Sequence, residues 1–424
     1  MEMKKLFALI LALAMVLSLA ACGSSSSDTS DTTEDTSTAD TDEEEASSED
    51  ADAEAETEEE AEVEEEADTE AAESSDLDYS DLNVGIFWYA FSDTFLSTVR
   101  SALDETLDAA GITYTDYDGN SNQTTQNESI TTALASGCNL LLVNLVESGS
   151  EDAAQKIIEE AAGYGVDVYF FNRTIEADGN EGALLNAYDN VAFLGTDAPE
   201  AGHMQGQMIG EYLVENFDAI DLNGDGVISY AMFKGQEGNA EAIYRTQYAV
   251  EDANAILTEA GYAELVYFDA NNSDQYQVDA NGAWSASAAT EYMQTNLSQY
   301  SEANGNMIEL VICNNDDMAA GAIQALQAAG YNNGEGTTTI PVFGVDATDT
   351  AKELIANGYM VGTVAQSNTG YAYGLKFLID QAVSGASPVD VAAALAADVS
   401  DYTFTLAEGI DSKVYMAYSA YTGE

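Results

Sequence analysis

The sequence predicts an α/β fold of two doubly wound, Rossmann-like lobes joined by a hinge. Three observations carry that reading. Runs such as Leu140-Leu141-Leu142-Val143 are apolar throughout rather than alternating, which marks strands covered on both faces. Amphipathic stretches of helical length separate these runs, as a parallel sheet with crossover helices requires. The pattern runs to Thr196 and then restarts, and 424 residues are too many for one hydrophobic core.

Taken in order, residues 1–22 read as a targeting segment. Lys4 and Lys5 precede the apolar run Leu6–Ala21, which is short for a bilayer span and right for a signal peptide. The run ends in Leu19-Ala20-Ala21-Cys22, which resembles a bacterial lipobox and so implies cleavage before Cys22 and a lipid on its sulfur. An ordinary signal peptide with a chance cysteine is the plainer alternative. Residues 23–76 hold 25 Asp and Glu, no Lys or Arg, and almost no bulky apolar side chains. Such a segment buries too little to offset its ordering entropy, so a disordered acidic linker is expected, tethering the folded body to the lipid.

From residue 77 the chain divides into a first lobe, 77–196 plus 367–396, and a second, 197–366 plus 397–424. In the first, strands are expected at Asn83–Tyr89, Ile112–Tyr114, Leu140–Val143, Val166–Phe171 and Val191–Thr196. Helices at Thr94–Ala110, Thr124–Ser136 and Glu151–Gly163 separate them, the first two stopped by Gly111 and Gly137. The second lobe runs helix Glu200–Asn216, strand Val227–Phe233, helix Ala240–Ala260, strand Leu265–Phe268, helix Ala283–Gln299 and strand Met307–Cys313. Helix Met318–Ala329, strand Ile340–Gly344, helix Thr350–Asn357 and strand Met360–Val364 complete it. Helix Tyr371–Val383 and a Tyr- and Thr-rich tail follow. The chain is expected to cross between lobes near Thr196-Asp197, near Gln366-Ser367 and after Ala396.

Composition excludes several functions. A formal charge of −67 leaves no basic surface for nucleic acid. The single histidine is His203, no Gly-x-Ser-x-Gly elbow is present, and no cysteine is placed as a nucleophile, so no catalysis is expected. Cys138 and Cys313 are flanked by apolar residues and read as buried free thiols.

Two groups of residues carry chemistry. Asp221-Leu222-Asn223-Gly224-Asp225-Gly226 sets oxygen ligands at every second position and then a glycine, the opening of a calcium loop. The closing glutamate of a helix-loop-helix site would fall at Met232, inside an apolar strand, so an acidic ligand must come from elsewhere. The second group lies at strand ends and helix starts: Asp93, Phe95, Asn172, Asn239, Glu241, Arg245, Trp284, Asn315, Asp346 and Gln366. Carboxylates, amides and a guanidinium bond hydroxyls in donor and acceptor pairs, and aromatic rings cover the C–H face of a pyranose. Taken singly, Asp93 reads as a helix cap and Phe95 or Trp284 as core. Arg245 is one of three arginines, with Arg100 and Arg173, which favours a defined role.

From Leu82 to about Gly385 the chain resembles the periplasmic galactose/glucose-binding proteins, the type I solute-binding components of sugar ABC importers. The resemblance rests on Asp93-Thr94-Phe95-Leu96, Val143-Asn144-Leu145-Val146, Phe170-Phe171-Asn172, Leu194-Gly195-Thr196-Asp197, Asp221–Gly226, Asn314-Asn315-Asp316 and Pro341–Asp346. It implies that Asp93, Asn172, Arg245, Asn315 and Asp346 bind sugar hydroxyls and that Phe95 and Trp284 sandwich the ring. It also implies structural Ca2+, with Asp221, Asn223 and Asp225 as side-chain ligands, Val227 by its carbonyl, Ser229, and Glu309 closing the shell. A glutamate in the apolar strand Met307-Ile308-Glu309-Leu310 fits such a partner. Asn239 stands where relatives carry histidine, Glu241 where they carry aspartate, and Gln366 where they carry asparagine. Arg245 is expected to pair with Glu241.

The expected function is a lipid-anchored, monomeric, extracytoplasmic receptor that closes on galactose or glucose and delivers it to ABC permease subunits. Alternatives are a receptor for another pentose or hexose, a sensor for a chemoreceptor or kinase, a calcium-dependent cohesion module, and a glycosidase.

Overall fold

The computed structural model describes residues 77–423 apart from Asp178. Cys22, the targeting segment and the acidic linker lie outside the described residues. Two seven-stranded sheets organise the rest. In the first, β1 (Val84–Trp88) lies between β2 (Tyr114–Asp118) and β3 (Leu140–Val143), and β4 (Asp167–Phe171) and β5 (Val191–Gly195) extend it in parallel. Three helices make the crossovers: α1 (Thr94–Ala110), α2 (Gln123–Ala135) and α3 (Glu151–Tyr164). Asp93, Asn122 and Ser150 cap them, each accepting from a backbone N–H three residues on.

After Thr196-Asp197 the chain enters the second lobe through α4 (Ala198–Ile220), β6 (Ser229–Lys234) and α5 (Ala240–Ala260). Then come β7 (Val266–Tyr267), β8 (Gln277–Val278), α6 (Ala286–Leu297), β9 (Leu310–Cys313) and α7 (Asp316–Ala328). β10 (Val342–Asp346), α8 (Asp349–Ala356) and β11 (Gly362–Ala365) close the lobe, and β11, β10, β9 and β6 run parallel. The chain returns as α9 (Asn368–Val383) and α10 (Pro388–Ala396), which belong to the first lobe.

Each sheet is apolar on both faces because a helix layer covers each face. Val84, Ile86 and Trp88 pack with Val99 and Leu103 of α1 and Leu375 of α9, while Phe87, Leu141 and Val143 pack with Ile130 of α2 and Ile157 of α3. In the second sheet Tyr230 and Met232 meet Leu213 of α4 and Ala249 of α5; Ala231 and Phe233 meet Met293 of α6 and Met318 of α7.

Three expectations are corrected. The second strand is Tyr114–Asp118 rather than Ile112–Tyr114: it is the sheet's edge, half-buried, and its polar sequence Tyr-Thr-Asp-Tyr-Asp lacks the apolar run of an inner strand. The tail does not belong wholly to the second lobe. β12 (Phe404–Ala407) and β13 (Ile410–Met416) form a hairpin on the first sheet, with Val414 beside Leu194 of β5, and only β14 (Ser419–Tyr421) joins the second sheet, antiparallel to β11. The third crossing is therefore Ala417-Tyr418, not the segment after Ala396. Among the described residues no helix is long and apolar enough to cross a membrane.

Candidate functional site

The crossings bring the carboxyl ends of the two sheets face to face around a cavity, the place where open α/β sheets hold small ligands. All ten strand-end residues singled out from the sequence line it, together with Tyr89, Leu96 and Arg173. The lobes touch across its mouth. Thr94 Oγ1 donates to Asp317 Oδ2 at 2.5 Å, and Arg173 Nη2 donates to Gln236 Oε1 at 2.8 Å.

Local structure explains how each side chain arrives. Asp93, Asn239 and Asn315 are the N-caps of α1, α5 and α7, accepting from Leu96, Ala242 and Met318 N–H at 2.8, 2.9 and 3.0 Å. The capping role and the cavity role coexist, because a helix start at a strand's carboxyl end is both a cap site and a cavity wall. Asp93 also accepts from the Tyr89 phenol at 2.6 Å, and Asn315 gives one N–H to Trp284 O at 3.1 Å. Asn172, Trp284 and Asp346, three of the eight non-glycine residues at positive φ among the described residues, hold 61°, 55° and 125°, rare for residues with a Cβ. Trp284 needs Gly235: a Cβ there would fall inside the indole. Phe95 meets Tyr371 edge-on, with ring centroids 6.2 Å apart.

Arg245 is where the expectation fails. It makes no ion pair with Glu241, four residues earlier on α5. Its Nη1 instead donates to Asn314 O at 3.0 Å and its Nη2 to the Tyr418 phenol at 3.2 Å. Tyr418 could not be found from sequence, because it lies on the misassigned third crossing. Burial pulls the Arg245 guanidinium down from its ordinary range, but the charges of Tyr418, Asp346 and Glu241 outweigh it and the net shift is upward. Burial pushes the Asp346 carboxyl well up, against the lowering charge of Arg245. Its neighbour Asp316 is pushed up to about 7 by burial, despite accepting from Thr363 Oγ1 at 2.7 Å and Thr348 N–H at 2.8 Å.

The cavity also concentrates unpaired polar atoms. Eight buried side-chain nitrogens or oxygens among the described residues lack a hydrogen-bond partner, and five line this cavity: both Glu241 carboxylate oxygens, Arg245 Nε, Trp284 Nε1 and Gln366 Oε1. A buried polar group without a partner costs about 1–3 kcal/mol. The cavity thus holds three acceptors and two donors without a partner in the protein.

Residues 84–387 match the family described as the periplasmic binding protein domain. The chain is a periplasmic binding protein. It is 31% identical over 312 residues to the D-galactose/methyl-galactoside binding periplasmic protein of Haemophilus influenzae, covering 73% of this chain and 84% of that one. Its fold matches the structure of an ABC transporter solute binding protein from Clostridium phytofermentans with bound β-D-glucose, with a TM-score of 0.60 and 19% identity over 80% of this chain and 94% of that one. A solute binding protein from Bacillus halodurans with bound myo-inositol matches with a TM-score of 0.57 and 22% identity, covering 82% and 96%. These relatives are binding proteins, and so is this chain: it is a receptor of an extracytoplasmic family and not an enzyme.

The binding protein's second acidic group, at residues 221–227, is built differently. Asp221 Oδ1 accepts from Gly224 and Asp225 N–H at 2.8 and 3.2 Å, and its Oδ2 from Gly226 N–H at 2.9 Å. Asn223 and Asp225 each accept from the backbone two residues on. Glu309, wholly buried, reaches the loop: Oε1 accepts from Leu222 N–H at 2.9 Å, and Oε2 from Ser229 N–H at 2.9 Å and Ser229 Oγ at 3.2 Å. Burial pushes its carboxyl up while the Ser229 and Leu222 N–H groups pull it down. The donors are all hard oxygens, the type calcium takes. Among the described residues, however, no three Asp, Glu, His or Cys side chains gather closely enough to hold an ion. The donor set fits calcium in kind, with its oxygens turned to backbone N–H groups.

Proposed function

We propose that this protein is the extracytoplasmic receptor of a sugar ABC importer, taking a monosaccharide, D-galactose or D-glucose first, and handing it to the permease. The observation that supports this most is the set of five unpaired polar atoms in the cavity. Each sugar hydroxyl donates one hydrogen bond and accepts others, so adjacent hydroxyls can donate to Glu241 and Gln366 and accept from Arg245. Asp93, Asn172, Asn239, Asn315 and Asp346 supply the remaining contacts, and the Phe95 and Trp284 rings cover the apolar face. The named galactose specificity of the Haemophilus relative points to hexopyranoses.

Both lobes furnish donors, so the full set of bonds exists only when the lobes are closed, and ligand shifts the population to that form. A lipid on Cys22 anchors the receptor, which acts as a monomer. Calcium at the 221–227 loop, with Asp221, Asn223, Asp225, Val227, Ser229 and Glu309 as its ligands, braces the start of β6 away from the sugar. Titration calorimetry with hexoses, pentoses and myo-inositol tests the sugar reading. One-site binding of galactose or glucose is expected, and no heat from any of them at millimolar concentration overturns it.

A further inference from the structure

Arg245 enters the cavity from the second turn of α5, but one of the groups that fixes it is not in the cavity. Tyr418 sits in the two-residue link between β13 of the first sheet and β14 of the second, 6% exposed. Its phenol oxygen accepts from Arg245 Nη2 at 3.2 Å and from Thr196 Oγ1 at 2.7 Å. Thr196, also buried, lies in the first crossing, between β5 and α4. One hydroxyl thus ties two of the three crossings to a cavity guanidinium. The Tyr371 phenol lies beside this junction and accepts from Asn172 Nδ2 at 3.3 Å, on the first lobe's side of the cavity.

We propose that Tyr418 is a positioning residue: through its hydroxyl it sets the orientation of Arg245 and couples that orientation to the hinge. The inference rests on the reading of the cavity as the sugar site. Tyr418 packs on the second lobe beside Arg245, and Thr196 leads out of the first sheet, so rotation of the lobes about these crossings acts on the Thr196–Tyr418 bond. A ligand that holds Arg245 therefore restrains the hinge, and a hinge held closed presents Arg245 ready for ligand. The aromatic ring has a separate role, packing against Ala201, Val345 and Val364. Phenylalanine retains that packing and removes only the hydroxyl.

The test uses Tyr418→Phe, Thr196→Val and the double variant of the full chain, with two readouts. The chain has two tryptophans: Trp88 is buried in the first lobe's core and Trp284 lines the cavity, so acrylamide quenching of ligand-free protein reports opening at Trp284. Galactose and glucose titrations report affinity. Tyr418→Phe is expected to weaken binding at least tenfold, as loss of a hydrogen bond to a charged group does, and to raise the quenching constant about twofold if coupling to the hinge holds. Thr196→Val should move both readouts the same way, and the double variant should be no worse than Tyr418→Phe alone. Unchanged quenching with affinity within about twofold of wild type, or strictly additive effects, overturns the inference. A ring needed only for packing would leave both readouts unmoved in Tyr418→Phe, because phenylalanine keeps the ring. If Tyr418→Phe fails to fold, Thr196→Val alone decides. If wild type binds neither sugar, the sugar reading fails, and ligand-free quenching still decides the role of Tyr418.

Discussion

The cavity and the 221–227 loop are both rich in carboxylates and amides, yet they handle polar atoms in opposite ways. In the loop, backbone N–H groups meet oxygens of Asp221, Asn223, Asp225 and Glu309, and the segment folds onto itself. In the cavity, Glu241 is 6% exposed with neither oxygen bonded, and Arg245 and Trp284 each keep a free N–H. The difference separates two uses of the same residue types. Oxygens engaged by backbone N–H groups shape a turn, whereas buried oxygens without a protein partner suit a ligand that donates to them.

That contrast can be broken in four places. The largest effect is expected from Arg245→Ala, which removes the cation facing Glu241 and Asp346. Sugar affinity should fall on the order of a hundredfold or more, measured by calorimetry; retention of affinity would mean that the cavity's charge balance is irrelevant to ligand. Glu309→Gln should do the reverse. It replaces one acceptor oxygen by an amide that cannot satisfy the same N–H groups, costing about 2 kcal/mol of stability by urea unfolding, with sugar affinity within about twofold of wild type. A large affinity loss there would join the two regions. Chelator should lower the melting temperature of calcium-loaded protein by several degrees while sparing affinity in the folded fraction; an identical melting curve would remove the metal and leave the backbone N–H groups as the loop's whole support.

The smallest effect concerns pH. The Asp316 carboxyl is raised by burial to about 7, against an ordinary value near 3.8. Between those values the folded state binds more protons than the unfolded, so stability falls as pH rises through that window. Melting temperature should therefore drop more steeply from pH 5 to pH 7.5 in wild type than in Asp316→Asn. Equal slopes would show that the buried carboxyl behind Asp346 does not titrate there.

Much of the cavity was legible in the sequence because its residues sit where strands end and helices begin, positions that local patterning locates well. Asp93, Asn239 and Asn315 carry the added mark of cap residues. What stayed hidden depended on distant partners. Glu241 and Arg245 stand four apart on α5, the spacing of a helical ion pair, but the guanidinium is drawn to Asn314 and Tyr418, which are 69 and 173 positions away. The hairpin of β12 and β13 was missed for a related reason. Ser412 and Lys413 look like surface residues, yet Ser412 is buried against Leu185 O, and Lys413 lies between the Phe193 and Tyr415 rings at 5.4 and 5.3 Å. Arg173 shows the same limit: one of three arginines in the sequence, it is a link between lobes only through Gln236.

The central claim is that a monosaccharide completes the cavity's unpaired atoms. A crystal structure with galactose or glucose, whichever binds tighter, tests it most directly. Sugar oxygens within hydrogen-bonding distance of the Glu241 oxygens, Gln366 Oε1 and Arg245 Nε are predicted. A sugar seated elsewhere, with those atoms still bare, would contradict the account.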